Sequence, residues 1–543
     1  MACSILFQYF GGIRKMLNKF KSLTVLALSL ALFSQSLPVA AKDAEENNQT
    51  NSGGRWMKGE YHAHTTQSDD AEGSQTLENV LNNSFDKYGM DWMGISDHLR
   101  MSSRDDEGQL VPGGPIPLSQ GIIQYQAPKM KQLQKKGKYK NKIIFSGFEW
   151  DMPTYEHVGI GILGDQAGSS RSLKAGNQFE YLFTNQDEKM FNSTDVAIWK
   201  AQDQRANKTP QDARTALAWL EKNYKNTSYA ILNHPSRKKV YTISDFRDFN
   251  NIAPDVLFGF EGMPGNQMEP DRGGLNLTTP ENRTYGGSDY MLAKVGGAWD
   301  ALLGEGRQFW NFSNSDSHFE ISENRLYSSG YWPGEYSKNY TWVDGSTMQS
   351  VLDGMRSGKS FSVFGDLINA LDFQAKGGSS KVDMGGDLKV KEGQMVKITI
   401  RFKSPKKNNN GDSVKVDHVD LISGDVTGKA VPGTPAYSKD TNDTTKVVKR
   451  FTSKDWKTDG NGYHIITYKV KASKDQYFRL RGTNLGENVS GETSNGEPLI
   501  DSKTDIEDNE SRFAEINNRN YKDLWFYSNP IFVSVEERTH DNH

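Results

Sequence analysis

The sequence predicts an α/β protein of two parts, a barrel of parallel strands over residues 55–370 and an antiparallel β domain over residues 371–543. Three observations support this prediction. The chain has 543 residues, more than one compact domain usually holds. Short apolar runs alternate with helical or irregular segments up to about residue 370. Beyond that point, segments of alternating apolar and polar residues are separated by turns rich in Gly, Asn and Asp.

The apolar runs of the first part are typical of buried parallel strands, because most of them are apolar on both faces. The runs are DWMGISDHL (91–99), KIIFSGFEW (142–150), HVGIGIL (157–163), SYAILNHP (228–235), DVLFGFEGM (255–263) and FWNFSNSDSHF (309–319). With one more strand before His62, about seven strands alternate with helices. This alternation predicts a barrel.

Two segments between the strands carry the start and stop signals of helices. TPQDARTALAWLEKNY begins with a Thr209 cap and has Pro210 in its first turn. STMQSVLDGMRSG (346–358) places its apolar residues on one face and ends at Gly358. Both segments are expected to be amphipathic helices.

The second part contains segments in which every other residue is apolar. The clearest are VKITIRFK (396–403), HIITYKVKA (464–472) and PIFVSVEE (530–537). This alternation predicts antiparallel strands with one buried face, and the simplest arrangement is a sandwich-like domain.

Residues 1–41 have the pattern of a signal peptide. A positively charged region precedes the apolar core LTVLALSLALF (23–33), which is too short to cross a bilayer, and Val39 and Ala41 occupy the small-residue positions before a cut. Residues 42–54 are polar and are expected to be a disordered leader. We therefore expect a periplasmic or extracellular protein without a transmembrane segment after cleavage. The only cysteine, Cys3, precedes the cut, so no disulfide is expected.

The charge of the chain excludes one class of partner. The formal net charge is -3, and we find no basic stripe of the kind that binds nucleic acid. The sequence leaves the oligomeric state open.

Histidine is rare in the chain and is concentrated in the first part. Six of the ten histidines lie there, namely His62, His64, His98, His157, His234 and His318. Five of them follow apolar runs, and the other opens one. Because parallel barrels build their sites at the C-terminal rim of the strands, these side chains are expected to converge.

The spacing of these residues suits metal binding. Residues i and i+2 of a strand point the same way, about 6–7 Å apart, so His62 and His64 can reach one cation or two neighbouring ones. Asp316 and His318 repeat the spacing, and Glu149 at a strand end can bridge two metals. Imidazole with carboxylate favours Zn, Mn or Fe over Ca alone, and paired metals lower the pKa of bound water toward ~7. At any single position, a histidine that is solvated or caps the backbone is the alternative. Six histidines near strand ends together favour metal binding.

Several of these segments together resemble a known family. YHAHTTQSDD, GISDHL, GFEW, NHP and NSDSHF resemble the motifs of the PHP superfamily (polymerase and histidinol phosphatase), in order and in spacing. WDALLGEGRQFWNFSNSDSH and YSNPIFVSV are similar to its secreted CehA/McbA-like branch. The resemblance extends from residue 60 to about 365. It implies a distorted (β/α)7 barrel with two or three divalent metal ions.

The resemblance also implies which residues hold the metals. It assigns three ligand sets: His62, His64, Glu149 and Asp316; Glu149, His157 and His234; Asp69, His98 and His318. The family usually has Ser-Asp-Gly where this chain has Ser68-Asp69-Asp70. Asp97 is expected to support catalysis from beside the ligands, and the alternative is a strand-end carboxylate that accepts hydrogen bonds from backbone amides.

The resemblance also implies the function, which is hydrolysis of a phosphate ester, small or carried on a polymer, by hydroxide held on the metals. Arg100 and Arg237 follow His98 and His234 closely and are candidate phosphate ligands, because a guanidinium binds phosphate through two hydrogen bonds. The alternative is that both are surface arginines. The polar inserts 164–208 and 264–287 are expected either to cover the site or to be surface decoration.

Two other functions remain open. The same metals serve a hydrolase of carboxyl esters, carbamates or amides, so the motifs do not separate it from a phosphoesterase. A non-catalytic protein that binds the envelope or a glycan through the β domain is the third possibility.

Overall fold

The computed structural model describes residues 53–163, 170–273, 279–319 and 330–536. The predicted signal peptide and residues 42–52 of the predicted leader lie outside these ranges. All described residues belong to one compact unit. In this part of the chain, no helix combines the length and the apolar character needed to cross a bilayer.

Residues 53–319 alternate between strands and helices, as the apolar runs predict. The strands are β1 Arg55–Glu60, β2 Trp92–Ile95, β3 Met101–Ser102, β4 Ile116–Pro117, β5 Ile143–Ser146, β6 Phe148–Asp151, β7 His157–Ile162, β8 Ser228–Leu232, β9 Leu257–Met263, β10 Thr284–Tyr285, β11 Ser288–Asp289 and β12 Trp310–Ser313. The α-helices are α1 Leu77–Leu81, α2 Leu118–Gly121, α3 Ala127–Lys135, α4 Ser170–Phe183, α5 Ser193–Gln202, α6 Pro210–Tyr224, α7 Ile243–Ile252, α8 Tyr290–Ala293 and α9 Ala298–Leu303.

Residues 330–536 are mainly β-structure. The strands are β13 Ser337–Val343, β14 Ser360–Phe364, β15 Ala370–Gly377, β16 Ser380–Asp383, β17 Asp387–Lys391, β18 Met395–Lys403, β19 His418–Asp425, β20 Lys446–Thr452, β21 Lys457–Thr458, β22 His464–Lys471, β23 Gln476–Thr483, β24 Thr493–Ser494, β25 Glu497–Pro498, β26 Trp525–Ser528 and β27 Ile531–Glu536. The α-helices are α10 Met348–Ser357 and α11 Asn509–Lys522.

The predicted start of helix α6 and the predicted end of helix α10 are confirmed. The Thr209 hydroxyl accepts a hydrogen bond from the N–H of Asp212, whose carboxylate accepts one from the Thr209 N–H at 3.0 Å. Helix α10 ends at Gly358, which has a left-handed φ of 71°. Glycine takes this conformation without a steric penalty, so it stops the helix where the sequence predicts.

Three large sheets contain most of these strands, and three two-stranded sheets contain the rest. The largest has eleven strands and runs β17-β27-β23-β26-β14-β13-β1-β2-β5, with β19 and β20 beside β23. The second runs β12-β9-β8-β7-β6, and the third runs β16-β15-β18-β22-β21. Strands β1, β2 and β5 are parallel, as are β8, β9 and β12, but β7 is antiparallel to both neighbours. The expectation of uniformly parallel strands is therefore wrong at β7.

The third sheet is antiparallel, as predicted for the segments at 396–403 and 464–472. The segment at 530–537 behaves differently, because β27 joins the largest sheet and pairs in parallel with β17. That sheet contains strands from both predicted parts, and β14 pairs with β26 across the proposed boundary at residue 370. The two-domain division stays a prediction.

The first two sheets meet at the ends of their strands. The N–H of His64 donates to Ser317 O at 2.9 Å, and the N–H of Asp316 donates to His62 O at 3.1 Å. At a second junction, the N–H of Glu149 donates to Asp97 O at 3.0 Å. The described residues form a mixed α/β fold without a closed barrel, and the distorted (β/α)7 barrel stays a prediction.

One hydrophobic core connects the strands of both predicted parts. The rings of Trp310 in β12 and Phe532 in β27 lie 6.5 Å apart, and Trp92, Trp299 and Trp525 are fully buried. This packing fixes the strand ends that carry the histidines.

Candidate metal centre

The ends of the strands bring most of the predicted ligands to one place. His62 and His64 follow β1, His98 follows β2, Glu149 lies in β6, His157 opens β7, His234 follows β8, and Asp316 and His318 follow β12. Several of these residues line an open cleft with a volume of about 240 Å³. The convergence arises because each side chain comes from the turn or strand end on the same side of the sheets.

Four groups of ligand atoms in this cluster are close enough to hold a metal ion. They are His62, His64, Glu149 and Asp316; Glu149, His157 and His234; His64, Asp70 and His98; and His98, Asp151 and His157. Within each group, the ligand atoms lie within 4.8 Å of one another. The first two groups contain the residues of the first two ligand sets that the family resemblance implies.

The carboxylate of Glu149 lies at the middle of the cluster. Its Oε1 is 3.1–3.3 Å from ring nitrogens of His62, His157 and His234. Its Oε2 is 3.1 and 3.5 Å from ring nitrogens of His98 and His64. The two oxygens thus face two different sets of imidazoles, which is the arrangement of a carboxylate that bridges two ions.

The distances in the cluster fit a metal better than direct hydrogen bonds. The Nε2 atoms of His62 and His64 are 3.2 Å apart, and both lie 3.0–3.1 Å from Asp316 Oδ1. Two ligands at about 2.0–2.1 Å from one ion in a tetrahedral site stand about 3.3 Å apart. The buried His98 Nδ1 and His234 Nε2 face Glu149 at 3.1 and 3.3 Å without hydrogen-bond geometry. Buried polar atoms normally have a partner, so these nitrogens suit a cation between them.

The buried carboxylates of the cluster need positive counter-charges. Burial raises the pKa of Glu149, but the nearby imidazoles of His62, His157 and His98 outweigh burial and hold this pKa well below its usual range. Burial lowers the pKa of His62, but the carboxylates of Asp316, Glu149 and Glu261 raise it well above its usual value. Ionised carboxylates buried this deeply need either protonated imidazoles or metal ions as counter-charges.

Side chains behind the cluster hold its ligands in place. Glu261 Oε1 lies 3.0 Å from His62 Nδ1, and its Oε2 accepts a hydrogen bond from the N–H of His234 at 2.9 Å. Asn314 also donates to Glu261, at 2.8 Å, and Asn266 donates to Asp316 Oδ2 at 2.6 Å. A carboxylate on the far nitrogen of an imidazole fixes its tautomer and increases its basicity as a ligand. Sequence reasoning identified the strand at 255–263 but not the role of Glu261.

Two ligands lie in strained backbone. His234 has a φ of 29° and Asp316 a φ of 47°. Non-glycine residues with positive φ are uncommon and concentrate at functional sites, where the surroundings hold them.

The position of Asp69 differs from the expectation. Asp70, not Asp69, contacts the cluster, with its Oδ2 2.9 Å from His98 Nε2. Asp69 is 37% exposed and pairs with Arg100 at 3.3 Å. The reason is the turn at Ser68, whose hydroxyl contacts His64 and donates to Asp70 Oδ1 at 3.1 Å. His318 lines the cleft, with its ring 5.0 Å from that of His64, but it belongs to none of the four groups named above, and its Nδ1 lies 2.7 Å from Asp316 O.

Asp97 lies beside the cluster and not in it. Its carboxylate accepts a hydrogen bond from the N–H of Thr65 at 2.5 Å and one from Gln126 Nε2 at 2.8 Å. Burial raises the pKa of Asp97 to about 6. These contacts match the alternative in which Asp97 caps backbone amides and so positions the turn after His64. Its catalytic role stays a prediction.

Both candidate arginines line the cleft, but each already has a carboxylate partner. Arg100 binds Asp151 through two hydrogen bonds of 2.6 and 2.8 Å. Arg237 binds Glu156, with Nη2 3.0 Å from Oε1, and also lies 3.5 Å from His157 Nδ1. Their assignment to substrate binding stays a prediction.

The two inserts contribute unequally to the cleft. Asn266 and Glu269 of the insert 264–287 line it. The described residues of the insert 164–208 do not, and instead form α4 and α5. Phe179 of α4 packs edge-on against Trp150, so this helix is attached to the hydrophobic core. The expectation that this insert covers the metal cluster is not met by its described residues.

Comparison of the chain with profiles of known protein families and with curated proteins found no match. The functional argument therefore depends on the geometry of the cluster.

Proposed function

We propose that the cluster binds two or three divalent metal ions and that the protein is a metal-dependent hydrolase of phosphate esters. The observation that carries this proposal is the position of Glu149, whose two oxygens each face a separate set of buried imidazoles. Imidazole and carboxylate ligands favour Zn, Mn or Fe. Such ions supply Lewis acids and lower the pKa of bound water.

The residues around the cluster would prepare a substrate for this chemistry. Three of the imidazoles and three of the carboxylates line the cleft, so a bound ester would lie against them; they are His98, His157, His318, Asp70, Glu149 and Asp316. Arg237 and Lys238 line the same cleft and provide positive charge next to His157. Positive side chains favour an anionic ester, which supports phosphate over a neutral carboxyl ester, carbamate or amide.

The remaining parts of the proposal concern location and substrate size. The signal-peptide pattern at residues 1–41 supports a periplasmic or extracellular protein. The cleft is open, which suits a small ester or one carried on a polymer. If no ester is hydrolysed, the alternative is a non-catalytic protein that binds the envelope or a glycan.

An ester panel tests the proposed reaction. The wild-type protein loaded with Mn, Zn or Fe is assayed with p-nitrophenyl phosphate, bis(p-nitrophenyl) phosphate and p-nitrophenyl acetate. We expect turnover of a phosphate ester, its loss in Glu149→Gln, and its retention in Glu180→Gln, which changes a buried glutamate in α4 outside the cluster. Turnover of the acetate alone would favour the carboxyl-ester hydrolase, and turnover of none by well-folded, metal-loaded protein would contradict the proposal.

A further inference from the structure

The loop after β8 places two neighbouring cations on one buried carboxylate. Glu156 is fully buried, and its Oε1 lies 3.0 Å from Arg237 Nη2 and 3.1 Å from Lys238 Nζ. Its Oε2 accepts a hydrogen bond from Arg237 Nε at 3.4 Å. Two cations that share one carboxylate leave a net charge of about +1 on this group of three side chains.

The backbone of the loop is held in one conformation, and the guanidinium of Arg237 is preorganised by its two hydrogen bonds to Glu156. The N–H and hydroxyl of Ser236 donate to Asp289 at 3.0 and 2.6 Å. The N–H of Lys239 donates to Ser236 O at 3.2 Å, which closes the turn. A charged group that is already fixed binds a ligand with a smaller loss of entropy.

The other arginine of the cleft has the opposite balance of charge around it. Arg100 pairs with both Asp69 and Asp151, so one cation meets two carboxylates. An anionic group is therefore favoured next to Arg237 and Lys238 and disfavoured next to Arg100. This difference in charge distinguishes Arg237 from Arg100, although both are equal candidates in the sequence.

Lys238 is the more accessible of the two cations. Its side chain is 54% exposed, whereas that of Arg237 is 10% exposed. Lys238 can therefore turn its ammonium from Glu156 to a bound anion while Arg237 keeps its contact with the carboxylate. A lysine ammonium carries three donors and is a common phosphate ligand.

We propose that Arg237 and Lys238, held by Glu156, form an anion subsite that binds the non-reacting oxygens of a phosphate group, and that Lys238 selects monoesters over diesters. A monoester carries one more negative charge than a diester and gains more from this subsite. The identity of the substrate rests on the proposed function, but binding of a phosphate anion at this subsite does not require turnover.

The test uses two adjacent lysines. Lys238→Gln removes a cation from the cleft, and Lys239→Gln removes one from the surface, where Lys239 is 52% exposed and pairs with Glu281. Binding of inorganic phosphate is measured by calorimetry on Mn-loaded and metal-free protein. We expect Lys238→Gln to weaken phosphate binding about tenfold, as for a lost charge-assisted hydrogen bond. Lys239→Gln should stay close to wild type, and Lys238→Arg should restore most of the affinity.

Kinetics provide the second readout. Lys238→Gln should raise KM for p-nitrophenyl phosphate more than for the diester bis(p-nitrophenyl) phosphate, with little change in kcat, and should leave p-nitrophenyl acetate unaffected. Equal phosphate affinity in the two glutamine variants, absence of phosphate binding in the wild type, or equal effects on the monoester and the diester would overturn the subsite. If the wild type hydrolyses no ester but Lys238→Gln still weakens phosphate binding, the subsite stands and the hydrolase proposal fails.

Discussion

Individual carboxylates behind the imidazoles determine how the cluster is built. Glu261 contacts the ring of His62 and the backbone of His234, so one side chain positions two predicted ligands from different strands. Glu60 acts similarly on the loop that carries Asp316, because the hydroxyl of Ser315 donates to its Oε1 at 2.5 Å. These residues are expected to affect metal affinity without touching metal.

Replacing Glu261 by glutamine tests this role. The amide keeps the shape but loses the charge that orients His62, and changes of this kind typically weaken metal binding by about 10–100-fold. Titration of the metal-free variant with Zn, followed by competition with a chelator, measures the effect. Glu180→Gln serves as the control. Equal Zn affinity in Glu261→Gln and the wild type would contradict the positioning role.

The site could be predicted from sequence wherever a local spacing carries the information. The pair His62 and His64 and the position of Glu149 at a strand end follow from local spacing. Asp316 and His318 also line the cleft, but Asp316 has a left-handed φ of 47°, so the geometry of a strand does not account for this pair. The contact of Asp70, and not of Asp69, with the cluster depends on a turn closed by the Ser68 hydroxyl, which the sequence does not reveal. Glu261 has no local signal, because its partners are 199 and 27 residues away in the chain.

Among the secondary-structure elements, α4 and α2 are joined through one buried carboxylate. Glu180 of α4 accepts hydrogen bonds from the N–H groups of Leu118 and Ser119 at 3.1 and 2.8 Å. These two N–H groups lie in the first turn of α2, where backbone N–H groups have no acceptor within their own helix. Burial raises the pKa of Glu180 from 4.5 to about 7.

The burial of Glu180, which outweighs the opposite effect of these hydrogen bonds on its pKa, predicts a pH dependence of stability. Because the folded pKa lies above the unfolded one, the folded state binds the proton more tightly, and the stabilisation is complete below about pH 4.5 and lost as pH rises through about 7. The change corresponds to roughly 3 kcal/mol. Urea unfolding at several pH values should show a smaller decline in Glu180→Gln than in the wild type. Parallel pH profiles would contradict this account.

The elements themselves were predictable where they carry strong signals. Thr209, Pro210 and Gly358 mark the ends of α6 and α10. The direction of β7 could not be predicted, because an apolar run such as HVGIGIL has the same pattern in parallel and antiparallel sheets. The helix α4 was missed because its segment was interpreted as a polar insert, although Phe179 packs on the core.

In the whole molecule, one sheet connects the two predicted parts. Strand β14 pairs with β26, and Asp300 of α9 forms a buried ion pair with Arg479 of β23 at 2.7 Å. The apolar patterns before and after residue 370 predicted strands but not this pairing, because pairing between strands that are distant in the chain produces no local sequence pattern.

A chain that ends at residue 370 is therefore expected to lose cooperative folding. The truncation exposes the edge of β14 and the core surface that packs against the removed strands, such as Trp310 against Phe532, and it removes the ion-pair partner of Asp300. Thermal unfolding followed by circular dichroism should show a single transition for the full-length chain and none for the truncated one. A cooperative transition of the truncated chain near the full-length Tm would show that the first part folds alone.

The decisive measurement is anomalous diffraction from crystals of the protein loaded with Zn or Mn. We expect at least two anomalous peaks, one bound by His62, His64 and Asp316 and one by His157 and His234, with Glu149 between them and Zn–N distances of about 2.0–2.1 Å. Crystals of metal-loaded protein that show no peak at these residues, with their imidazoles hydrogen-bonded to the carboxylates instead, would contradict the metal centre and the function that depends on it.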